Sequence, residues 1–459
     1  MRHDPMMTLR KIAAVAARLR SDERGVIIIL FAAALPVVLT LFLVLIDHTR
    51  GVTARTNLQN SLDAATLYVA KSNLTNSSEI QALGLRILNA NMQASGAASV
   101  SQGTFTLSED LRVTGTASMD VPVTISSLVG RASMTIDSVS EVARSSNNIE
   151  VGIALDITGS MSGTPLAQMK TAAKELVDLI VKDQQTPHYS KVALVPYSNA
   201  VNYGTLAGTV RGTLSSGRCD TPGCAQYRFY NASGSRLTYD ASTCVTERTG
   251  TSAYTDAAPN LATTRLGRHY IGARSGDANL CISSGMMPLS TNRTALKSSI
   301  DAYAAAGSTA GHIGLASAWY MVSPNFGYLW SNTASRPAAY GTRELIKVVI
   351  LMTDGEFNTA HADGVLSNDS GFGNNDLQIN KNATNGSSHN QALSLCSAIK
   401  QQGIILYTVG FNLDSQNARN LMQTCASSSA HAYLPSSGTA LRDAFRAIAQ
   451  EINSLRISR

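Results

Sequence analysis

The sequence predicts an α/β protein: an N-terminal transmembrane helix, a small α+β module, then a doubly wound, mostly parallel sheet with long loop inserts. Three observations carry this. Val26 to Ile46 holds no charged residue. Four near-continuous apolar runs, at 149–155, 191–197, 347–352 and 404–409, alternate with helix-periodic segments, the pattern of strands covered on both faces. Between these regions lie short β-prone runs punctuated by Ser, Thr and Gly.

At 459 residues the chain has room for two or three domains with cores of their own. Charged residues make up 15% and apolar residues 44%, which argues against a disordered chain and against a multi-span membrane protein. Part of the net charge of +6 is N-terminal, where Arg2, Arg10, Lys11, Arg18, Arg20 and Arg24 face only Asp4, Asp22 and Glu23. No arginine-rich stripe with interleaved aromatics follows, so nucleic acid is not an expected partner.

As a helix, residues 26–46 span roughly 30 Å, the thickness of a bilayer core, and Pro36 is a kink that membrane helices tolerate. The basic segment 1–25 precedes the span, which places it in the cytoplasm and everything after Asp47 outside, in the periplasm or beyond. The expected location is therefore the cytoplasmic (inner) membrane, with a single pass. A cleaved signal peptide is the rival, but its apolar core would be unusually long and no A-x-A-like site follows Ile46 closely.

Residues 47–97 read as a helical stalk. Leu58, Leu62, Ala65 and Val69 form an amphipathic stripe that continues the helix, able to pack on the following module or on partner helices. A polar break at 72–78 separates it from a second helix over 80–92. Residues 98–144 form the β-rich module, and 145–148 read as a linker.

The main domain spans 149–456. Its first strand runs into Asp156, and a helix over 164–182 follows with Leu166, Met169, Ala173, Leu176, Val177 and Ile180 on one side. Two polar stretches, about 202–290 and 357–387, interrupt the strand–helix pattern and are expected as loops at the sheet's edge or rim. The last helix, about 439–455, carries Leu441, Phe445, Ile448, Ile452 and Leu455 at core-packing spacing.

All six cysteines follow residue 200, on the expected outer side of the membrane, where disulfides persist. Cys396 and Cys425 flank a strand–helix unit and form one plausible pair. Cys219, Cys224, Cys244 and Cys281 share the first insert and admit three pairings. A zinc site is a poorer match, because C-x₄-C has no second closely spaced pair.

In an open α/β sheet, ligands bind beyond the C-terminal ends of the strands. Three segments expected there carry small oxygen-bearing residues: Asp156-Ile-Thr158-Gly-Ser160, Gly307-Ser-Thr309 and Thr353-Asp354-Gly355-Glu356. Carboxylate and hydroxyl oxygens without His or Cys make a hard-cation set, suited best to Mg²⁺, with Mn²⁺ or Ca²⁺ as alternatives. Few protein charges leave such an ion electrophilic, able to accept one further carboxylate from a protein partner. Each piece alone has a bland reading, since Asp-Gly after a strand is usually a turn and Ser/Thr before a helix usually a cap.

Taken together, these residues resemble the metal-ion-dependent adhesion site of von Willebrand factor type A domains, whose pattern is D-x-S-x-S, then a Thr, then an Asp. The resemblance implies that Asp156, Thr158, Ser160, Thr309 and Asp354 hold the metal. Thr158 stands where the family more often has Ser; that keeps the oxygen and adds a methyl. The N-terminus narrows the family. Arg24-Gly25, the span containing Ala34-Leu-Pro36, and Leu58-Gln-Asn-Ser-Leu-Asp-Ala-Ala65 resemble TadG-like proteins of tight-adherence (Flp) pilus assembly, as does the C-terminal stretch from Leu395-Cys396 to Phe445. Pilus assembly components are thus implied partners. The Flp prepilin pattern has Glu and Tyr at the fifth and sixth positions after Gly, whereas Leu30 and Phe31 follow Gly25 here, so permanent anchoring is expected.

The function expected is metal-dependent protein binding by a membrane-anchored chain, with a structural cell-envelope adhesin lacking a pilus role as the alternative. An enzyme is not expected. G-x-x-x-x-G-K-[ST], HExxH and G-x-S-x-G are absent. His188, His269, His312, His361, His389 and His431 are scattered, mostly in predicted loops.

Overall fold

The apolar run and the amphipathic run after it form one helix, α1 (Glu23–Lys71). The computed structural model describes residues 23–457 except 73, 75, 97–99, 109–111, 125–132, 145–146, 187 and 273–278. Most of the basic segment expected at 1–25, and half of the expected linker, therefore lie outside the described residues. Contacts divide the chain into two units, Met1–Arg144 and Ser145–Arg459.

In the first unit, the stretch from Leu30 onward is long and apolar enough to cross a membrane, and its most apolar window is not buried. Further along α1, Leu58, Leu62, Ala65 and Val69 are all fully buried. They pack on α2 (Ser77–Ala94) and on an antiparallel sheet of β1 (Gln102–Leu107), β2 (Arg112–Pro122) and β3 (Ser133–Ala143). Of the two readings open for the stripe, packing on its own module is therefore the one the structure realises. Phe105 of β1 stands opposite Gly115 of β2, and a Cβ at Gly84 of α2 would lie 2.2 Å from its ring. Helix and sheet thus meet where side chains are absent.

The second unit begins with β4 (Asn148–Asp156), α3 (Thr164–Ile180) and β5 (Ser190–Tyr197). The first insert then supplies β6 (Val201–Asn202), α4 (Ala207–Arg211), β7 (Ser215–Cys219), β8 (Cys224–Tyr230), β9 (Arg236–Thr246) and β10 (Gly267–Ile271). Next come β11 (Met287–Ser290), α5 (Arg293–Asp301), α6 (Gly311–Val322) and β12 (Leu345–Thr353). The second insert contributes β13 (His361–Ala362) and β14 (Val365–Leu366). The chain closes with α7 (Ser388–Gln401), β15 (Ile405–Gly410), α8 (Gln416–Cys425), β16 (Ala432–Tyr433) and α9 (Gly438–Ile457).

The main sheet has the order β11-β5-β4-β12-β15-β16. All its pairings are parallel except that of the edge strand β11. Ile149, Val151, Ile153 and Leu155 point to the face covered by α3, α5 and α9, while Ala154 points to the face under α6, α7 and α8. Gly152 shares that second face, and a Cβ there would lie 2.4 Å from the carbonyl oxygen of Ala318. The glycine lets α6 lie directly against the central strand. This is a doubly wound, mostly parallel sheet, as the strand pattern predicted.

The inserts correct one expectation. The first is not a loop: β7, β8, β9 and β10, with β6 off β9, form a five-stranded sheet of their own. The second packs on it, with Ala362, Val365 and Ile379 joining Tyr227, Phe229, Tyr239 and Tyr270 in one small core. Gly/Ser/Thr-rich composition hid these strands, because aromatic residues at alternate positions carry the core. The disulfides are Cys219–Cys224, Cys244–Cys281 and Cys396–Cys425.

The histidines correct another. His269, His312 and His361 are buried together around Glu247. His361 Nδ1 is 2.9 Å from Glu247 Oε2, His312 Nε2 is 3.7 Å from Oε1, and the His269 and His361 rings are 5.8 Å apart. Among the described residues, no group of three or more His, Cys, Asp or Glu is arranged to hold a metal ion.

Candidate metal centre

The chain leaves β4 toward β5 on one side and leaves β12 toward β15 on the other, so the winding reverses between the adjacent strands β4 and β12. That switch point opens a crevice at their C-terminal ends. Asp156 is the last residue of β4, and Thr353 the last of β12. Both are fully buried, and the Thr353 hydroxyl donates to Asp156 Oδ2 at 2.8 Å. Tyr197, closing β5, reaches the same oxygen with its hydroxyl at 3.3 Å and donates to the Met352 carbonyl at 2.9 Å.

The other oxygen of Asp156 organises the loop that follows. Oδ1 accepts from the Thr158 N–H at 2.9 Å and from the Thr158 hydroxyl at 2.6 Å. The Ser160 hydroxyl donates to Asp354 Oδ1 at 2.7 Å. Thr158 Oγ1 and Ser160 Oγ are 2.9 Å apart. These two hydroxyls are within hydrogen-bond distance of each other, and either can donate, so they link the two carboxylates.

Two carboxylates share this crevice. Burial pushes the Asp156 pKa up, and hydrogen bonds from Thr158, Thr353 and the Asp354 N–H draw it back only in part. Burial and then the charge of Asp156 raise Asp354 to about 6, against which the Ser160 bond works. Among the described residues, neither carboxylate forms an ion pair with a lysine or arginine. Like charges in a low-dielectric crevice repel unless a proton or a cation joins them.

These features fit a hard divalent cation. Octahedral ligands about 2.1 Å from Mg²⁺ stand about 3.0 Å from one another, close to the Thr158–Ser160 separation. The donor set is all oxygen, two carboxylates and the hydroxyls between them.

Thr309 is carried on a separate loop. Its N–H donates to Asn358 Oδ1 at 2.9 Å, and its carbonyl accepts from the Asn358 N–H at 3.0 Å. The carbonyl of Gly307, at φ +80°, accepts from the Gly159 N–H at 2.9 Å, which ties this loop to that of Thr158 and Ser160. A Cβ at Gly307 would collide with Asn199 Oδ1, which itself accepts from the Ser308 N–H at 2.9 Å. Asp156, Thr158, Ser160 and Asp354 are thus joined in one hydrogen-bonded chain. The Thr309 hydroxyl makes no hydrogen bond to any of them among the described residues.

Sequence reasoning missed Tyr197, Asn199 and Asn358, which hold the three loops. The signal was present: a polar Tyr-Ser-Asn closes the apolar strand at 197–199, and Asn358 follows Asp354 on the same loop. Beside the site, an open groove of about 390 Å³ is lined by Ser160, Thr164, Gln168, Asp354 and Phe411, among others.

Comparison with known proteins agrees at the N-terminus. Residues 25–72 match the family model Tad, described as putative Flp pilus-assembly TadE/G-like. The N-terminal segment is therefore TadE/G-like, as its motif implied. No curated protein matches the chain. Among solved structures, it is similar to the vWF domain of the type V pili tip protein Mfa5 from Porphyromonas gingivalis. That match has 13% identity and a TM-score of 0.38, and covers 68% of this chain and 97% of the other. Another similar structure is the pilus adhesin RrgA from Streptococcus pneumoniae, with 11% identity, a TM-score of 0.40 and coverage of 76% and 49%. A third is proximal thread matrix protein 1 of the mussel byssus with a zinc-occupied MIDAS motif, at 13% identity, a TM-score of 0.30 and coverage of 68% and 47%. The chain spans about half the length of the latter two.

Proposed function

We propose that this chain is a membrane-anchored, metal-dependent binding protein of tight-adherence pilus biogenesis. In this reading residues 26–46 cross the cytoplasmic membrane once, with segment 1–25 in the cytoplasm and the rest outside. Residues 47–97 and 98–144 form the stalk and module, and 149–456 form the binding domain. Asp156, Thr158, Ser160, Thr309 and Asp354 would hold Mg²⁺, which when bound supplies an open coordination position for a carboxylate of a protein partner. The groove lined by Ser160, Thr164, Gln168 and Phe411 would receive the partner residues flanking that carboxylate.

The observation that supports this most directly is the pair of carboxylates at the switch point, linked by two hydroxyls and with no ion pair to a lysine or arginine among the described residues. Such a pair is unfavourable alone and becomes favourable with a divalent ion between its oxygens. The TadE/G-like match at 25–72 supports the pilus setting.

The test is capture of the pilus-assembly proteins encoded beside this chain, using full-length protein in detergent with Mg²⁺ or with EDTA, and with Asp156→Ala. Capture that requires Mg²⁺ and fails in the variant, with near-ultraviolet dichroism unchanged, is the expected result. Capture indifferent to both would sink the metal-bridged reading.

A further inference from the structure

The first insert holds a buried cation that has no ion pair among the described residues. Arg211, the last residue of α4, is 9% exposed. Its Nη1 donates to the backbone oxygen of Ser242, the one hydrogen bond its guanidinium makes among the described residues, and its Nε is buried without a partner. Arg211 forms no ion pair among the described residues, and the charge of another cation, Arg268, acts on it. Arg265 is a third. Its guanidinium lies over Gly212, where an added Cβ would meet it at 2.6 Å. Neither Arg265 nor Arg268 forms an ion pair among the described residues.

A buried guanidinium is costly to keep unless its donors and its charge are met. Arg248, more deeply buried in the same insert, meets more of its donors. It donates to the carbonyls of Thr255 and Ala257 and lies 5.2 Å from the Tyr320 ring. Arg211 has no such arrangement. It opens instead onto a pocket of about 380 Å³, whose other polar lining includes the hydroxyl-bearing Thr243 and Ser283. The wall there is fixed by the Cys244–Cys281 disulfide and by Asn202, which donates to the Ile282 carbonyl at 2.8 Å.

We infer that this pocket binds an oxyanion, a carboxylate or phosphate group seated on the Arg211 guanidinium beside the Thr243 and Ser283 hydroxyls. A guanidinium presents its donors in a planar fork that matches both groups, and charge-assisted bonds of this kind are the strong ones. Arg265 and Arg268 add attraction at longer range. Burial lowers the Arg211 pKa, as does the charge of Arg268, and Tyr270 opposes them; an anion in the pocket reverses that balance. The site is separate from the metal centre, and the inference does not depend on it.

The experiment is a titration of full-length protein in detergent, at constant ionic strength, with inorganic phosphate and in parallel with citrate, followed by calorimetry and melting temperature. At least one of the two is expected to bind saturably and raise the melting temperature, and the tighter one identifies the class. Arg211→Met is expected to lose that binding while melting at or above the wild-type temperature without anion. Arg211→Lys, which keeps the charge but not the fork, should bind at least tenfold more weakly. Should Arg211→Met not fold, Ser283→Ala with Thr243→Val reports on the same pocket and should weaken binding several-fold. Absence of saturable binding by either anion overturns the inference. So does binding that survives unchanged in the Arg211 variant or, where that variant does not fold, in the hydroxyl pair.

Discussion

Thr158 Oγ1 and Ser160 Oγ lie 2.9 Å apart and link two carboxylates, Thr158 bonding Asp156 and Ser160 bonding Asp354. The loop Asp156-Ile-Thr-Gly-Ser160 is thereby shaped before any ion arrives, so ligation requires little rearrangement. This preorganisation is what the predictions below probe.

Asn358 grips Thr309 through both backbone groups and has no charge of its own to offer. Asn358→Ala is expected to weaken Mg²⁺ binding by about 10- to 100-fold, as removal of an orienting partner does elsewhere. Calorimetry on wild type and variant measures it. Equal affinities would mean that Thr309 is held by its loop alone.

Glu150 and Lys347 face each other across β4 and β12, both buried, and the Lys347 ammonium also donates to the Val322 carbonyl at 2.8 Å. Removing one partner leaves the other charge buried. Glu150→Gln should destabilise the second unit by about 3–5 kcal/mol, whereas Glu150→Met with Lys347→Met should come much closer to wild type. Denaturant titration distinguishes the two.

Leu62 is fully buried in the first unit while Tyr68, on the opposite face of α1, is 55% exposed. Leu62→Ala should therefore cost about 2–5 kcal/mol. Tyr68→Ala should stay within about 0.5 kcal/mol. Hydrogen exchange at β2 reports the difference.

His269 is buried, and burial, then the charge of His361, holds its pKa well below the usual histidine range. The unfolded chain binds this proton first, so stability is fully present above about pH 6.5 and declines as pH falls below it, by about 1.4 kcal/mol per pH unit for one proton. Glu247 is different. Burial raises its pKa, but the charge of His361 and the hydrogen bonds of His312 and His361 prevail and hold it well below the usual carboxylate range. Its contribution is lost only at lower pH, as Glu247 protonates. Melting curves between pH 7.5 and 5 should fall for wild type and flatten for His269→Gln.

The sequence disclosed the main sheet and four residues of the hydrogen-bonded chain because both depend on local patterns. The β4 and β12 runs are apolar on both faces, and Asp156, Thr158, Ser160 and Asp354 lie directly after strands. The insert sheet was illegible because Tyr227, Phe229, Tyr239 and Tyr270 gather across long separations, with polar residues between them. The convergence of His269, His312 and His361 on Glu247 was hidden for the same reason: each lies on a different element. Thr309 was legible as a position, but its Asn358 clamp is a tertiary contact that no local rule announces.

The central claim is that the crevice at the β4–β12 switch point binds one divalent cation. A calorimetric titration of Mg²⁺ into the full-length protein in detergent, with Asp156→Ala as control, tests it most directly. The account predicts saturable binding at a single site in the wild type and none in the variant. A folded wild-type protein that takes up no Mg²⁺, Mn²⁺ or Ca²⁺ would contradict it, and would leave the Thr158–Ser160 arrangement without a purpose in binding.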